Sequence, residues 1–500
     1  MKNVSKKLTN TKGINFIKWD ANFIFLILLI FGLILIIISP TIIRQLNGVG
    51  LLGQESYLNY RLANLIKENR GIPNYDDLSF GGRYFIYAVG WPVFLVLFST
   101  LTKLSLENTS IILPIFFGLM NIIMFYLILK NLLLRRLQVY ASSFFLLLSP
   151  AFLYLGSASS ATVFIIFLLF LGFYLQLTSK PINLAISFIC FILIPLFSYS
   201  QGILISILLL LYGLLINRKR LKFLILTIFV ISLIYIFYYI NYGGFEQIKF
   251  NVTENFSVVN YFAEFGSDYG IGIFSAFLAV VGLIKMKTNK LFKVYLILLS
   301  IILLILIKYL TWPIFYFNFV ICILAGYGLV VLLRFKWESK LIKKTTIAVI
   351  LFGTFASTFL YISRAESFEP NIYLIEGMKY LAEEGEPYQT VFSHYDLGYY
   401  INFAGMKNIF DRYFLYAPKP NKRYADSRAF IYAEDLETIN QFLKDYSIDY
   451  IFIDKKRYNE LYKDKMVNRY LPFYLDIDKR FRLVYKNEEV YLWRVYSIDD

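Results

Sequence analysis

The sequence predicts a polytopic α-helical membrane protein ending in a small α/β domain. Of its 500 residues 58% are hydrophobic and the mean hydropathy is +0.59. Apolar runs of roughly 17 to 24 residues, long enough to cross a hydrocarbon core, recur between residues 21 and 363. Beyond residue 363 the runs shorten to roughly four to six residues that alternate with helical patterns. A soluble globular protein is excluded.

The elements follow in chain order. Residues 1–20 carry Lys2, Lys6, Lys7, Lys12 and Lys18 and form a cytoplasmic amino terminus. The run 21–43 exceeds the apolar region of a signal peptide. It ends in Ser39-Pro40-Thr41-Ile42-Ile43-Arg44 without a small-x-small cleavage site, so it is a retained first helix. Further apolar stretches lie near 85–101, 109–132, 138–156, 160–178, 181–199, 201–217, 221–241, 270–286, 292–309, 312–334 and 344–363. Cys190 and Cys322 both fall inside such stretches, and His394 is the one histidine. Neither a disulfide framework nor a Cys/His zinc site is available.

Charge fixes the topology. The net charge is +16, yet residues 364–500 hold 20 basic against 23 acidic side chains, so the excess belongs to the membrane part. It clusters in short loops: Lys130, Arg135 and Arg136; Arg218, Lys219, Arg220 and Lys222; Lys285, Lys287, Lys290 and Lys293; Arg334, Lys336, Lys340, Lys343 and Lys344. Such clusters mark cytoplasmic loops rather than a nucleic-acid surface. If all twelve stretches crossed, these loops would lie outside. Treating 85–101 as re-entrant or interfacial returns them to the inside; that segment is short, holds Gly90 and Pro92, and follows Gly81-Gly82-Arg83.

Eleven crossings result, in a cell-membrane protein with its amino terminus inside and its carboxy-terminal domain outside. The transmembrane domain is 21–363, with a long first external loop at 44–108, and the extracytoplasmic α/β domain is 364–500. The link Gly156-Ser157-Ala158-Ser159-Ser160 and the loop 242–269 share the outer face. Glu55, Asp76 and Asp77 therefore lie on one side with Glu246, Glu254, Glu264 and Asp268.

In the external domain, Ile372 to Glu384 and Asp435 to Tyr446 read as helices. Thr390 to Ser393 and Tyr450 to Ile453 read as strands, and Phe481 to Tyr485 with Val490 to Val495, joined across Asn487 and Glu488, as a closing hairpin. Gly243-Gly244 and Gly270-x-Gly272 read as loop and packing glycines rather than a phosphate cradle.

The candidate site is the polar patch Gly53-Gln54-Glu55-Ser56-Tyr57-Leu58-Asn59-Tyr60-Arg61 just beyond the first helix. A carboxylate, an amide, tyrosines and an arginine kept together at a bilayer surface point to a polar ligand. Glu55-Ser56-Tyr57-Leu58-Asn59-Tyr60-Arg61 resembles the Asp-Pro-Trp-Phe-Asn-Tyr-Arg segment in the first external loop of oligosaccharyltransferase catalytic subunits, which are C-type (GT-C) glycosyltransferases. Pro73-Asn74-Tyr75-Asp76-Asp77 and Gly81-Gly82-Arg83 are similar to the continuation of that loop in archaeal members. Val252-Thr253-Glu254, followed by Phe265-Gly266, resembles the T-I-x-E loop, and His394-Tyr395-Asp396-Leu397-Gly398-Tyr399 the W-W-D-Y-G motif of the external domain.

The resemblance implies transfer of a sugar or glycan from a polyprenyl-phosphate-linked donor to a glycan, lipid or protein acceptor. It also implies departures. The family's catalytic Asp is Glu55 here, and its second acidic pair, a metal site in oligosaccharyltransferases, falls where this chain has Ser157, Ser159 and Ser160. A late transmembrane Arg is replaced around Lys308 to Trp312. No cofactor is called for: a divalent cation (Mg or Mn) on Glu55 and Glu254 alone would be short of the roughly six oxygens it takes. A metal-independent relative, moving one sugar from a polyprenyl monophosphate, fits these residues better.

Such transfer needs a base for the acceptor, charge stabilisation for the departing phosphate, and a dry face for the lipid. Glu55 is the candidate base; its alternative is a carboxylate paired with Arg61. Glu254 is placed to orient the acceptor or share that role. Arg61, Arg83 and Lys308 are the cations expected to meet phosphate, or else interfacial snorkelling residues. His394, Tyr395 and Asp396 form the external-domain acceptor motif; alternatively His394 is structural and Asp396 caps a helix over Leu397 to Phe403. Tyr57, Tyr60, Tyr75, Tyr84 and Tyr399 could stack on a sugar. Asn251-Val252-Thr253 and Asn255-Phe256-Ser257 are glycosylation sequons by pattern alone. The competing readings are a transporter or flippase of lipid-linked saccharides, for which the chain lacks paired half-repeats, and a catalytically inactive GT-C-like scaffold.

Overall fold

The structure, a computed structural model, describes residues 21–132, 135–177, 180–242, 261–286, 290–414, 417–433, 435–455, 458–459 and 471–496. Apolar helices dominate up to Ser363: α1 (Ala21–Leu46), α3 (Gly90–Thr102), α4 (Leu106–Asn131), α5 (Arg136–Leu147), α6 (Pro150–Ser157), α7 (Ala161–Gln176), α8 (Pro181–Phe197), α9 (Tyr199–Leu215), α10 (Leu221–Tyr242), α11 (Ile273–Lys285), α12 (Lys290–Ile307), α13 (Pro313–Arg334) and α14 (Lys340–Ser363). Serine caps start several of them: Ser105 accepts from the Asn108 amide (3.1 Å) and Ser160 from the Thr162 amide (3.3 Å). Prolines occupy the first turns of α6, α8 and α13, where no amide partner is lost.

Five described helices are long and apolar enough to cross a membrane: α4, Arg218–Phe237, α12, α13 and α14. The pair α5 and α6, bent by 60°, makes a sixth; α3, α7, α8, α9 and α11 are 13 to 17 residues long. The bend corrects the sequence expectation of one helix over 138–156. Pro150 cannot donate to the preceding turn and forces Ser149 out of helical geometry. The freed Ser149 hydroxyl is satisfied by the Asn318 side chain (2.7 Å).

The segment between α1 and α4 leaves and rejoins the bundle at one end. A Cβ at Gly50, just past α1, would lie 3.7 Å from the Glu107 carboxyl in the first turn of α4. Helix α3, with 13 residues, spans about 20 Å, short of the roughly 30 Å core. The expected loop 44–108 also contains an amphipathic helix not anticipated from the sequence, α2 (Gln54–Glu68). The loop at 261–272 shares this end: Tyr261 donates to the Ile307 carbonyl (3.3 Å) and Arg364 to the Ala263 carbonyl (2.5 Å). So does the start of α9, where Tyr199 reaches the Tyr87 carbonyl (3.4 Å). Arg136, Arg218, Lys285, Lys290, Arg334 and Lys340, at the other termini of these helices, consequently gather at the opposite end.

The chain beyond α14 forms a five-stranded sheet in the order β4-β3-β5-β7-β6. Its strands are β3 (Thr390–Ser393), β4 (Lys407–Asn408), β5 (Ile448–Asp454), β6 (Phe481–Lys486) and β7 (Val490–Val495), the first three parallel and the hairpin antiparallel. Alternation sorts β3 and β5 between two cores. Val391, Tyr450 and Phe452 pack with α15 (Ile372–Glu384), whereas Phe392, Ile451 and Ile453 pack with α17 (Pro420–Ile431) and α18 (Leu436–Tyr446). The first loop enters both cores, through Tyr57 on one face and Phe80 on the other. Phe80 holds a φ of 56°, fixed by bonds from its amide to Asn408 (2.9 Å) and to its carbonyl from Arg423 (2.9 Å).

Arg44 ties the bundle to this domain. Its guanidinium, 1% exposed, donates to the carbonyls of Ala365 (3.0 Å), Phe368 (2.8 Å), Leu51 (3.0 Å) and Pro370 (2.8 Å). Arg44→Ala would strand these buried acceptors at a cost on the order of 3 kcal/mol or more. The expected outcome is a lower Tm in detergent with faster proteolysis within 365–371; an unchanged Tm and cleavage pattern would remove Arg44 from this role.

Candidate active site

The polar patch is the first two turns of α2. Gly53 precedes it with φ 78°, a conformation open to glycine, and a Cβ there would collide with the Tyr154 hydroxyl. Gln54, Ser56, Tyr57, Leu58 and Arg61 are buried, and Glu55 alone of the first turn is exposed. Ser56 accepts from the Ser159 amide (2.7 Å), Asn59 donates to the Ser159 carbonyl (2.9 Å), and Trp91 of α3 donates to the Ser159 hydroxyl (3.2 Å). The serine link after α6 is thus a strut beneath the patch. Ser157 bonds back to Leu153 (2.9 Å) and Ser160 caps α7.

Glu55 is open to solvent yet walled by protein, the situation of a group in a crevice. Burial raises its carboxyl above the ordinary range, and the charge of Arg412 pulls it back. Around it, Tyr154 of α6 stands within electrostatic reach of Asp268, Glu55, Tyr269 and Arg412. The Tyr154 ring meets Tyr269 edge-on at 5.7 Å and stacks on Phe315 of α13 at 5.9 Å. Asp268 is pushed up to about 6 by burial and by Glu369, against the pull of Arg364 and Arg44.

The far wall comes from the carboxy-terminal domain. Helix α16 (Gly398–Phe403) packs on α2 through Tyr57 against Tyr400 (5.2 Å) and Phe403 (4.8 Å). A Cβ at Gly398 would strike the Phe410 carbonyl, so this glycine lets α16 lie against the loop that carries Asp411 and Arg412. Arg412 donates through Nε to Asp396 (3.0 Å), and His394 Nδ1 stands 3.4 Å from the same carboxylate. The cap of the turn after β3 is His394, which accepts the Asp396 amide (3.3 Å). This replaces the expectation that Asp396 caps that helix: its carboxylate is drawn away to the arginine.

Arg61 and Arg83 lie deeper than the crevice. Arg61 makes a two-pronged ion pair with Asp76 (2.8 and 2.6 Å) and not the pair with Glu55 weighed above. Tyr87 donates to Asp76 (2.9 Å), Arg83 bonds Tyr87, and Arg83 stands 3.6 Å from Asp411. Burial alone would raise Asp76, but the hydrogen bonds and charge of Arg61 hold it well below the usual carboxylate range. The two guanidinium groups, 9% and 3% exposed, are spent inside the protein. Lys308 is exposed just past α12, its ammonium 5.6 Å from the Tyr309 ring, and no described contact joins it to Glu55.

Tyr57 and Tyr399 are core residues, while Tyr75 and Tyr84 pair on the surface at 5.9 Å. Glu254, the sequons, Glu246 and Gly243-Gly244 lie outside the described residues. Among the described residues no three His, Cys, Asp or Glu side chains converge. The charge nearest in effect to Glu55 is the Arg412 cation. Sequence reasoning missed Arg412; its one signal was a charged Asp-Arg pair set between aromatic residues.

The fold is similar to those of solved structures of an oligosaccharyltransferase, ArnT and an arabinofuranosyltransferase. The chain is similar to the archaeal oligosaccharyltransferase AglB of Archaeoglobus fulgidus, solved with a tethered acceptor peptide (TM-score 0.66, 14% identity, 96% of this chain and 75% of that one). It is also similar to ArnT of Cupriavidus metallidurans (0.54, 11%, 95% and 98%) and to the mycobacterial arabinofuranosyltransferase AftD (0.57, 13%, 95% and 41%). No profile of a known protein family matches the chain, and no curated protein matches it in sequence.

Removing one partner of the buried pair should be severe. Arg61→Ala removes the paired cation from buried Asp76 and leaves it with the Tyr87 hydroxyl and the Leu78 amide, at a cost of roughly 3–5 kcal/mol. Thermal unfolding in detergent would read this as a large drop in Tm; a drop no larger than that of a surface Lys→Ala control would contradict the pairing.

Proposed function

We propose that this protein is a membrane glycosyltransferase that moves a sugar from a polyprenyl-phosphate donor to an acceptor on the outer face, with Glu55 as the base. The observation that carries the reading is Glu55 itself: the exposed carboxylate in the first turn of an otherwise buried helix end, in a crevice between the bundle and the external domain. A helix amino terminus favours its charged form, as does Arg412. The fold supports the donor class, because its likenesses include AglB in complex with a dolichol-phosphate and an inhibitory peptide, and ArnT bound to undecaprenyl phosphate.

In this reading the acceptor oxygen attacks the anomeric carbon of the donor sugar. Its proton passes to the Glu55 carboxylate, and the bond from that carbon to the phosphate oxygen breaks with its electron pair on the phosphate. Glu254 and Lys308 are retained as secondary proposals, for the acceptor and for the donor phosphate. Arg61 and Arg83 become supports of α2 rather than phosphate ligands. His394, Tyr395 and Asp396 form part of the acceptor-side wall.

Glu55→Gln keeps the shape and removes the base, so transfer from a polyprenyl-phosphate sugar should fall by roughly 10²- to 10⁴-fold in proteoliposomes. Full activity in that variant would sink the assignment of Glu55. Because burial raises the Glu55 pKa, the acid limb of the rate profile should lie above the ordinary glutamate range, activity rising as the carboxyl loses its proton.

The orientation is part of the proposal. Eleven crossings, with 85–101 held at the interface, place the crevice outside and the basic termini of α5, α10, α12 and α14 inside. A tag fused after Asp500 should be reached by a membrane-impermeant reagent in intact cells; labelling only after lysis would reverse the orientation and separate Glu55 from an external acceptor.

A further inference from the structure

We propose that Arg412 is the anion-binding group of the crevice, receiving the donor phosphate opposite Glu55, with Asp396 as its positioning residue. This rests on the glycosyltransferase reading and names the group that meets its substrate.

The argument begins from which cations have charge to spare. Arg61 and Arg83 are committed to Asp76 and Asp411 in the interior. Arg44 is saturated by four carbonyls. Arg412 differs: its side chain is 41% exposed, and its described hydrogen bond uses one edge, Nε to Asp396. That bond leaves the two terminal nitrogens as further donors. A guanidinium held by a carboxylate along one edge presents the other as a two-pronged donor matched to phosphate oxygens.

Its position is built rather than accidental. Asp411, buried beside it, accepts the Tyr413 amide (2.7 Å) and pairs with Arg83, which pins the backbone on both sides of Arg412. Asp396 is fixed by the turn that His394 caps. The elements around it are tied by contacts: α16, which packs against the Phe410–Asp411 backbone, meets α2 through Tyr57 and Tyr400 (5.2 Å), the link after α6 bonds α2 at Ser56 (2.7 Å), and Tyr154 of α6 meets Tyr269 of the loop before α11 (5.7 Å). The charge of Arg412 is felt at Glu55, Tyr154, Tyr269 and Tyr400. These elements converge on one space. When the bond from the anomeric carbon breaks, the phosphate gains a negative charge; a fixed cation there stabilises that charge more in the transition state than in the bound donor. The same cation favours the ionised form of Glu55, so one residue serves base and leaving group.

The test is lipid binding to the full-length protein in nanodiscs, with undecaprenyl phosphate and undecaprenol as paired probes and inorganic phosphate as competitor. Wild type should prefer the phosphate lipid by about tenfold or more, as expected for a charge-assisted bidentate contact. Arg412→Ala should lose that preference while still binding undecaprenol, Arg412→Lys should keep part of it, and Glu55→Gln should keep all of it while losing transfer. Asp396→Asn should weaken the preference partially and be compensated in part by raised lipid concentration, a change in KM more than in kcat. If Arg412→Ala fails to fold, Arg412→Lys carries the comparison, and a wild-type preference in the lysine variant overturns the proposal. A wild type that does not distinguish phosphate from alcohol overturns the donor reading itself. Competition by millimolar inorganic phosphate would mark a site for the free anion, against the lipid-phosphate assignment.

Discussion

A charged guanidinium without a partner is among the costliest things a protein interior can hold, and the segment between α1 and α4 is arranged around two of them. Arg61 enters from α2 and Arg83 from the short strand Arg83–Tyr84, and Asp76, Tyr87 and Asp411 answer them. Because Asp411 belongs to the carboxy-terminal domain, the network is a rivet between two parts of the chain more than 300 residues apart in sequence. Glu55 lies one and a half turns before Arg61 on α2; Arg412 is the residue after Asp411. The separation of the two crevice walls is therefore fixed by the buried ions between them, whereas hydrophobic contacts such as Tyr57 against Phe403 could slide.

Much of the architecture was legible because it follows from hydropathy and period. The apolar stretches are set by bilayer thickness, and β3, β5 and the hairpin by alternation between two cores. The stretch 85–101 yields α3, a helix of 13 residues, and Gly50 past α1 lies beside Glu107 in the first turn of α4. Other features left no such trace. Helix α2 is polar on one face because it packs against serines and a distant domain, so its sequence reads as a loop. The break at Pro150 hides inside an apolar run. Arg412 takes its meaning from Asp396, 16 residues away, and Glu55, 357 residues away; no local pattern encodes either. Asp396 followed the rule for a helix cap until an arginine that the rule does not see competed for its carboxylate.

The site also explains a difference from the resemblance on which it was first read. Where oligosaccharyltransferases are expected to place an acidic pair, Ser157, Ser159 and Ser160 are consumed by bonds to Leu153, Ser56, Asn59, Trp91 and the first turn of α7. The serines stiffen the floor of the crevice. Positive charge enters from the opposite wall, as an arginine carried by the carboxy-terminal domain. A fold alone does not assign chemistry; here the assignment rests on one exposed carboxylate and one exposed guanidinium facing the same space.

Arg44 adds a constraint in time. It sits at the end of the first helix made, and three of its four carbonyl partners belong to residues 365–370, made after the last apolar helix. Until α14 is complete, that cation has only the Leu51 carbonyl of its four partners. The chain thereby carries a marker of unfinished synthesis at its own beginning. A protein cut short before residue 365, or one whose last helix fails to insert, would keep a bare charge at the membrane surface where quality-control machinery could find it.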